Sequence, residues 1–391
     1  MKIIVTFLVA IFCLVGCEFD DESSERTTTT GELPFKISVS ISGLEGSLEL
    51  NLNGDELLPI SESDVSIDAG IGFISRFNSG QSYVVEVSKQ PDSQYCSPRY
   101  SLGSESGEVD DENITVHFFC QTYFRGLNGV TAVSAGNDHT CAIANNEVKC
   151  WGSNALGQLD IPEGISNPIM ISSGSSHSCV LQDSGLICWG ENHKPALKQP
   201  PQNLIGVKEL KSGAGFSCVI DDKGLHCWGQ GNVVSAEIDL VDPHSLTAEH
   251  TGACVIDEGN VKCWGSSSSI IPHFEPIASS ITLGFDARNC ITKLDEVICF
   301  EAGGSKIDAN STEIGLLASS IIEFSRFGAC ALTEGSLNCW GSDFHGWKDI
   351  QYIVEFPTAI SIGLYHGCVI QETELICVGS NFNGEIEIPN I

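Results

Sequence analysis

The residues of this chain best suited to do chemistry are its cysteines, and their spacing points to cross-links. Fourteen fall into seven pairs: Cys141 with Cys150, Cys179 with Cys188, Cys218 with Cys227, Cys254 with Cys263, Cys290 with Cys299, Cys330 with Cys339 and Cys368 with Cys377, each pair nine positions apart. In an antiparallel hairpin closed by a two-residue turn, such residues face each other at a non-hydrogen-bonded site, where Cα atoms approach to about 4.5 Å. That lies within the reach of a disulfide, so each pair is expected to be stapled across its own hairpin. Cysteines locked in this way cannot act as nucleophiles. Asn145-Asn146, Glu258-Gly259 and Glu334-Gly335 suit the left-handed conformations of tight turns. In units two and three the glycines Gly185 and Gly224 come one place late, which leaves open a bulged turn and a register slipped by one.

Eighteen cysteines are present. Lys2 precedes an apolar run from Ile3 to Gly16 that stops at Cys17, too short for a comfortable membrane span and typical of a secretory signal. Its end, Leu14-Val15-Gly16-Cys17, resembles the bacterial lipoprotein processing box, which implies that Cys17 is acylated and becomes the mature amino terminus. Cys13 then leaves with the signal, and the remainder divides into the seven pairs plus Cys96 and Cys120. An oxidising envelope accommodates them all. The expected location is the bacterial cell envelope, at the outer membrane or cell surface rather than the inner membrane, held only by the lipid on Cys17.

The chain has 391 residues, with 51 acidic side chains against 19 basic ones and a formal net charge of -32. A surface of that sign repels phosphate backbones and anionic headgroups, so nucleic acid is excluded as a partner class. A monomer is expected.

Residues 1–16 are read as the signal peptide. Residues 17–34, polar and aperiodic with four consecutive threonines, are read as a disordered tether. From Phe35 short alternating runs begin, Phe35-Lys36-Ile37-Ser38-Val39-Ser40-Ile41 being the clearest, and they mark an all-β module over 35–121. Gly43-Leu44-Glu45-Gly46, Leu50-Asn51-Leu52-Asn53-Gly54, Gly80-Gln81-Ser82-Tyr83-Val84-Val85 and Gln90-Pro91 leading to Cys96 resemble a repeat common in bacterial surface proteins. The resemblance implies an immunoglobulin-like β-sandwich acting as a spacer or adhesive domain, with Cys96 and Cys120 tying its last strands together.

Over 129–391 the first cysteines of the pairs recur at intervals of 38, 39, 36, 36, 40 and 38 residues. That is the period of a unit which buries its apolar face against its neighbours. The fullest copy runs from Val133-Ser134-Ala135-Gly136-Asn137-Asp138-His139-Thr140-Cys141 to Trp151-Gly152-Ser153-Asn154-Ala155-Leu156-Gly157-Gln158-Leu159. It resembles the regulator-of-chromosome-condensation type of repeat, with its Gly-x-x-His-[ST]-x-x-Leu, hairpin, Trp-Gly-x-Asn and Gly-Gln-Leu. The resemblance implies an all-β fold, a seven-bladed β-propeller. Trp-Gly is replaced by Phe300-Glu301 in unit five and by Val378-Gly379 in unit seven, and the glycine five before the first cysteine is absent from units four to six. A strand near Gly129 to Val133 is expected to pair with one near the carboxyl terminus, because a propeller must hide its edges.

His139, His177 and His366 share one place, two before the first cysteine. A three-histidine metal site is the alternative to packing inside each unit, which is what the resemblance implies; three identical positions at one radius need not converge, so no metal site is assigned. The repeated tryptophans are read as packing between units. Phe344 and Trp347, aromatics added to the loop of unit six, are the candidate contact residues for a partner, since variable loops on a rigid scaffold carry recognition. No His-Glu-x-x-His, Gly-x-Ser-x-Gly, phosphate loop or Cys-x-x-Cys occurs, and no cofactor is implied. The expected function is a non-catalytic binding platform for a protein or glycan. A polysaccharide-active hydrolase or lyase with a site at the propeller axis is the alternative.

Overall fold

The computed structural model describes residues 35–389 apart from 66–70, 99–105, 111, 192–198, 231–239, 250–251, 266–277, 285–288, 294–295, 301–305, 308–320, 327 and 343–344. The signal, Cys17, the tether and Phe344 lie outside the described residues.

The first part consists of two sheets enclosing one core. Alternation in Phe35–Ser42 turns Ile37, Val39 and Ile41 inward, where they meet Leu48, Leu50 and Leu52 of the facing sheet. Phe35–Ser42 pairs antiparallel with Ile71–Phe77 and parallel with Ile114–Gly126, which in turn pairs antiparallel with Gln94–Pro98. Cys96 and Cys120 stand directly opposite in that last pair and are joined by a disulfide. In the second sheet Ser47–Leu52 lies between Glu56–Ser61 and Ser82–Lys89.

Units one to six each form a small sheet of their own, whereas the three strands of unit seven continue into a seven-stranded sheet shared with the first part; in every unit the first cysteine lies on the second strand. The middle strands read as near-continuous apolar or small-residue runs because both faces are covered; His139–Ala144, His177–Gln182 and Phe216–Asp221 are buried throughout. In all seven hairpins the two cysteines are register partners. Each is bonded within its own unit: Cys141 to Cys150, Cys179 to Cys188, Cys218 to Cys227, Cys254 to Cys263, Cys290 to Cys299, Cys330 to Cys339 and Cys368 to Cys377. The late glycines do not shift this register, so Cys188 and Cys227 face their partners as Cys150 does. In units two and three the positive φ falls on Gly185 (120°) and Gly224 (119°), at the first residue after the turn, where they pair with Gln182 and Asp221. Eight disulfides among the described residues point to an oxidising, non-cytoplasmic compartment.

The first strands of successive units lie side by side, and that of unit seven, Pro357–Ile362, lies against that of unit one, Val130–Ala135. The strand that covers the open edge of unit seven is not residues 129–133. It is the end of Ile114–Gly126, whose residues 123–126 pair antiparallel with Leu375 to Val378. Thirteen residues long, this strand begins in the first part of the molecule and ends in the last unit. Around it Gln121 Nε2 donates to the Gly379 carbonyl at 3.1 Å, Arg125 donates to the Ile353 carbonyl at 2.9 Å, and Tyr95 stacks on Tyr352 at 5.5 Å.

Candidate interaction face

The three equivalent histidines are links between units. His139 Nε2 lies 2.9 Å from Ser178 Oγ, His177 Nε2 lies 2.8 Å from Ser217 Oγ, and His366 Nε2 lies 2.8 Å from Thr140 Oγ1. In each case the partner hydroxyl sits immediately before the first cysteine of the following unit. Thr140 Oγ1 also donates to the Glu385 carbonyl at 3.0 Å, so its remaining role toward His366 is that of acceptor, and His366 carries its proton on Nε2. Burial holds His139 down to about 4; burial, together with the nearby His139, holds His366 down to about 3. Both are neutral at physiological pH. Their three Nε2 atoms point to three different hydroxyls, and among the described residues no group of three His, Cys, Asp or Glu side chains could hold a metal.

The glycine three before each histidine is required by space. A methyl group on Gly136 would stand 2.5 Å from the Gly174 carbonyl oxygen and 2.5 Å from His139 Cε1. Gly174 stands in the same relation to Gly213 and His177, and Gly363 to Gly136 and His366. Gly136, Gly174, Gly213 and Gly363 surround a shallow recess at the axis, bordered also by Asn137, Ser173, Ser212, Glu249 and Leu364. Where unit three has Phe216 in the histidine place, unit four has Ala253 in the hydroxyl place, and the link becomes an apolar contact within one cluster.

First strands are joined through the residues that pair with the first cysteines. Ser361 Oγ accepts from the Ala135 amide, Ser134 Oγ from the Ser173 amide and Thr247 Oγ1 from the Leu283 amide. Units three and six have Lys211 and Glu323 at this position. Lys211 Nζ reaches Glu323 Oε1 at 3.8 Å, an ion pair spanning units that are not neighbours. Burial pushes the Glu323 carboxyl up, against the pull of Lys211.

Trp347, expected in solvent, is only 1 % exposed. It belongs to a short helical stretch, Trp347–Asp349 followed by Ile350–Ile353, and packs with Val378, Val369 and Leu332 in the seam between units six and seven. The reason lies in unit seven, where Val378 replaces the tryptophan of Trp-Gly. Elsewhere that tryptophan fills the seam with the preceding unit, as Trp189 and Trp228 do, and Trp151 does between units seven and one. Trp347 supplies the missing indole from the opposite side of the seam. Its ring lies where unit six would carry its histidine: that place is Gly328, and a Cβ there would stand 2.9 Å from Trp347 Cζ2. Trp151 and Trp189 donate Nε1–H to the carbonyls of Glu385 and Gln158, seven residues after the Trp-Gly position of the unit before. Trp347 occupies that seventh place itself, and its Nε1 is buried without a hydrogen-bond partner.

Beside this seam an exposed ring, that of Phe382, gathers with two half-buried ones at residues that sequence reasoning passed over. His345 meets Tyr365 edge-on at 5.1 Å and Phe382 at 6.0 Å, Phe382 is 85 % exposed, and Arg326 donates to Tyr365 Oη at 3.2 Å. The signal was present at Phe382, which stands where unit one has Ala155.

The chain matches the family model described as the regulator of chromosome condensation (RCC1) repeat over residues 130–158. Among solved structures it is similar to the CRINKLY WD40 ectodomain of the Arabidopsis thaliana receptor kinase ACR4, with 21% identity over 66% of this chain and 99% of that one and a TM-score of 0.50. Human WBSCR16 is similar at 14% identity over 75% of this chain and 100% of that one, with a TM-score of 0.52. The fold is a β-propeller, and the match to that repeat covers its first unit. No curated protein sequence matches it.

Proposed function

We propose that the protein is an envelope lipoprotein, anchored through Cys17, in which an immunoglobulin-like module over 35–121 carries a seven-bladed propeller over 129–391 that binds a protein or glycan without catalysis. One observation carries this reading. Among the described residues the repeat cysteines are paired and the three equivalent histidines bridge blades, while the axial recess is bordered largely by glycine backbone and hydroxyls, with Glu249 its one carboxylate. RCC1-like propellers serve as interaction scaffolds, and the fold supports a scaffold here in the same coarse sense. The exposed ring of Phe382, with the half-buried rings of His345 and Tyr365 against it and Arg326 beside them, is the surface we assign to the partner.

Proximity labelling on intact cells, comparing the wild-type protein with a Phe382→Ala, Arg326→Ala variant of unchanged stability, tests the reading. Loss of specific neighbours in the variant is expected; an identical neighbour set would remove this face from the account. Mass spectrometry of the mature amino terminus tests the anchor, and an unmodified terminus at any residue other than Cys17 would refute it.

A further inference from the structure

We infer that the first module is a mechanical clamp, built so that a pull between its amino-terminal tether and the propeller is resisted by a parallel strand ladder in shear. The inference rests on the anchored reading only for its purpose; the clamp itself follows from strand direction and register.

The described chain enters the module at Phe35–Ser42 and leaves it along Ile114–Gly126. These two strands are hydrogen-bonded neighbours and run parallel, in unbroken register from Ile37 opposite Ile114 to Ser42 opposite Phe119. Because they are parallel, a tether pulling on the start of the first strand and a propeller pulling on the end of the second draw them in opposite directions along their common axis. The ladder bonds lie across that axis, so all six register pairs share the load and must fail together. An antiparallel pair loaded at adjacent ends would instead open one pair at a time.

Three further features keep the load on this ladder. Ile37, Val39 and Ile41 on one strand and Val116 and Phe118 on the other are buried in the same core, so sliding the strands exposes apolar surface at every step. The Cys96–Cys120 disulfide fixes Ile114–Gly126 to Gln94–Pro98 just beyond the ladder. Past Cys120 the same strand is the fourth strand of unit seven, so force reaches the propeller through backbone pairing to Leu375 to Val378 and through the contacts of Gln121 and Arg125. One continuous strand joins the two parts.

The test is single-molecule force spectroscopy on the mature chain with one handle fixed at the exposed turn residue Asp183 and the other in one of two places. A handle at Thr30, before the first strand, loads the ladder in shear. A handle at Glu45, just after that strand, peels it from the Ser42 end. Rupture is governed by the unfolding barrier along the pulled direction, so the first rupture from Thr30 is expected at about twice the force seen from Glu45, or more. A first rupture at equal or lower force from Thr30, whichever part of the chain it frees, overturns the inference. Neither result bears on acylation of Cys17, which mass spectrometry of the terminus decides separately.

Discussion

His366 Nε2 and Thr140 Oγ1 are 226 residues apart in sequence and 2.8 Å apart in space, and they close the cycle of units with the same link that joins unit one to two and two to three. The Thr140 hydroxyl donates in turn to the Glu385 carbonyl, which also receives Trp151 Nε1–H. One carbonyl of the last loop thus holds two side chains of the first unit.

Thr140→Val keeps the shape of this link and removes its acceptor, leaving a buried N–H unpaired. It is expected to cost about 1–3 kcal/mol in denaturant unfolding. Phe216 and Ala253 show an apolar solution at the same place, so His366→Phe combined with Thr140→Ala should lose less than the two single changes added together. Strict additivity would mean the two residues are not coupled.

The neutral histidines make the fold sensitive to acid. An unfolded chain protonates histidine near 6.5, whereas folded His139 does so at about 4 and His366 at about 3. Between those values the unfolded state binds more protons, so stability is full above pH 6.5 and declines as pH falls toward 4. For His139 alone the loss amounts to something on the order of 3 kcal/mol. Denaturation midpoints at pH 7.5, 6, 5 and 4 check this, and His139→Gln should flatten the profile; an equally steep profile in that variant would assign the acid sensitivity to other groups.

Gly174→Ala drives a methyl group against the Gly213 carbonyl oxygen of the next unit and to 2.5 Å from His177 Cε1. A loss of about 2–4 kcal/mol is expected, because backbone on one side and a packed ring on the other leave nothing able to give way. Gly164→Ala is the control: its φ is 85° but a Cβ there meets no atom within 4 Å, so only the conformational cost of about 1 kcal/mol applies.

Local pattern reveals much of this architecture and misses what depends on distant partners. The nine-residue spacing is enough for all seven hairpin disulfides, from Cys141–Cys150 to Cys368–Cys377, because a hairpin is local and its register follows from its turn. Gly-x-x-His-[ST] reads as a packing motif, although the atom it packs against belongs to another unit. The repeat begins at 129–133, which makes that segment the natural choice for the closing strand. The chain instead borrows residues 123–126 from a strand whose pattern belongs to the preceding module. Lys211 and Glu323 give no signal, since two charges 112 positions apart on polar-tolerant strand positions look like ordinary surface.

Trp347 escapes the local pattern for a reason that yields the sharpest test. Within unit six it looks like an addition, whereas in the structure it compensates for Val378 in unit seven; an extra tryptophan in one unit and a missing one in the next are two halves of a single exchange. Trp347→Ala should therefore behave as a core truncation costing about 3–5 kcal/mol, with no specific effect on partner binding once the protein is folded. Val378→Trp alone places two indoles in one seam and should also destabilise. Joining Trp347→Gln to Val378→Trp restores the arrangement of unit one, where Gln158 offers its carbonyl to the indole of the next unit. The double variant is expected to be more stable than either single change, because the new indole gains a hydrogen-bond acceptor that Trp347 lacks. Unfolding midpoints of the three variants measure this, and a double variant no better than Val378→Trp would show that Trp347 fills its seam for a reason other than the missing tryptophan.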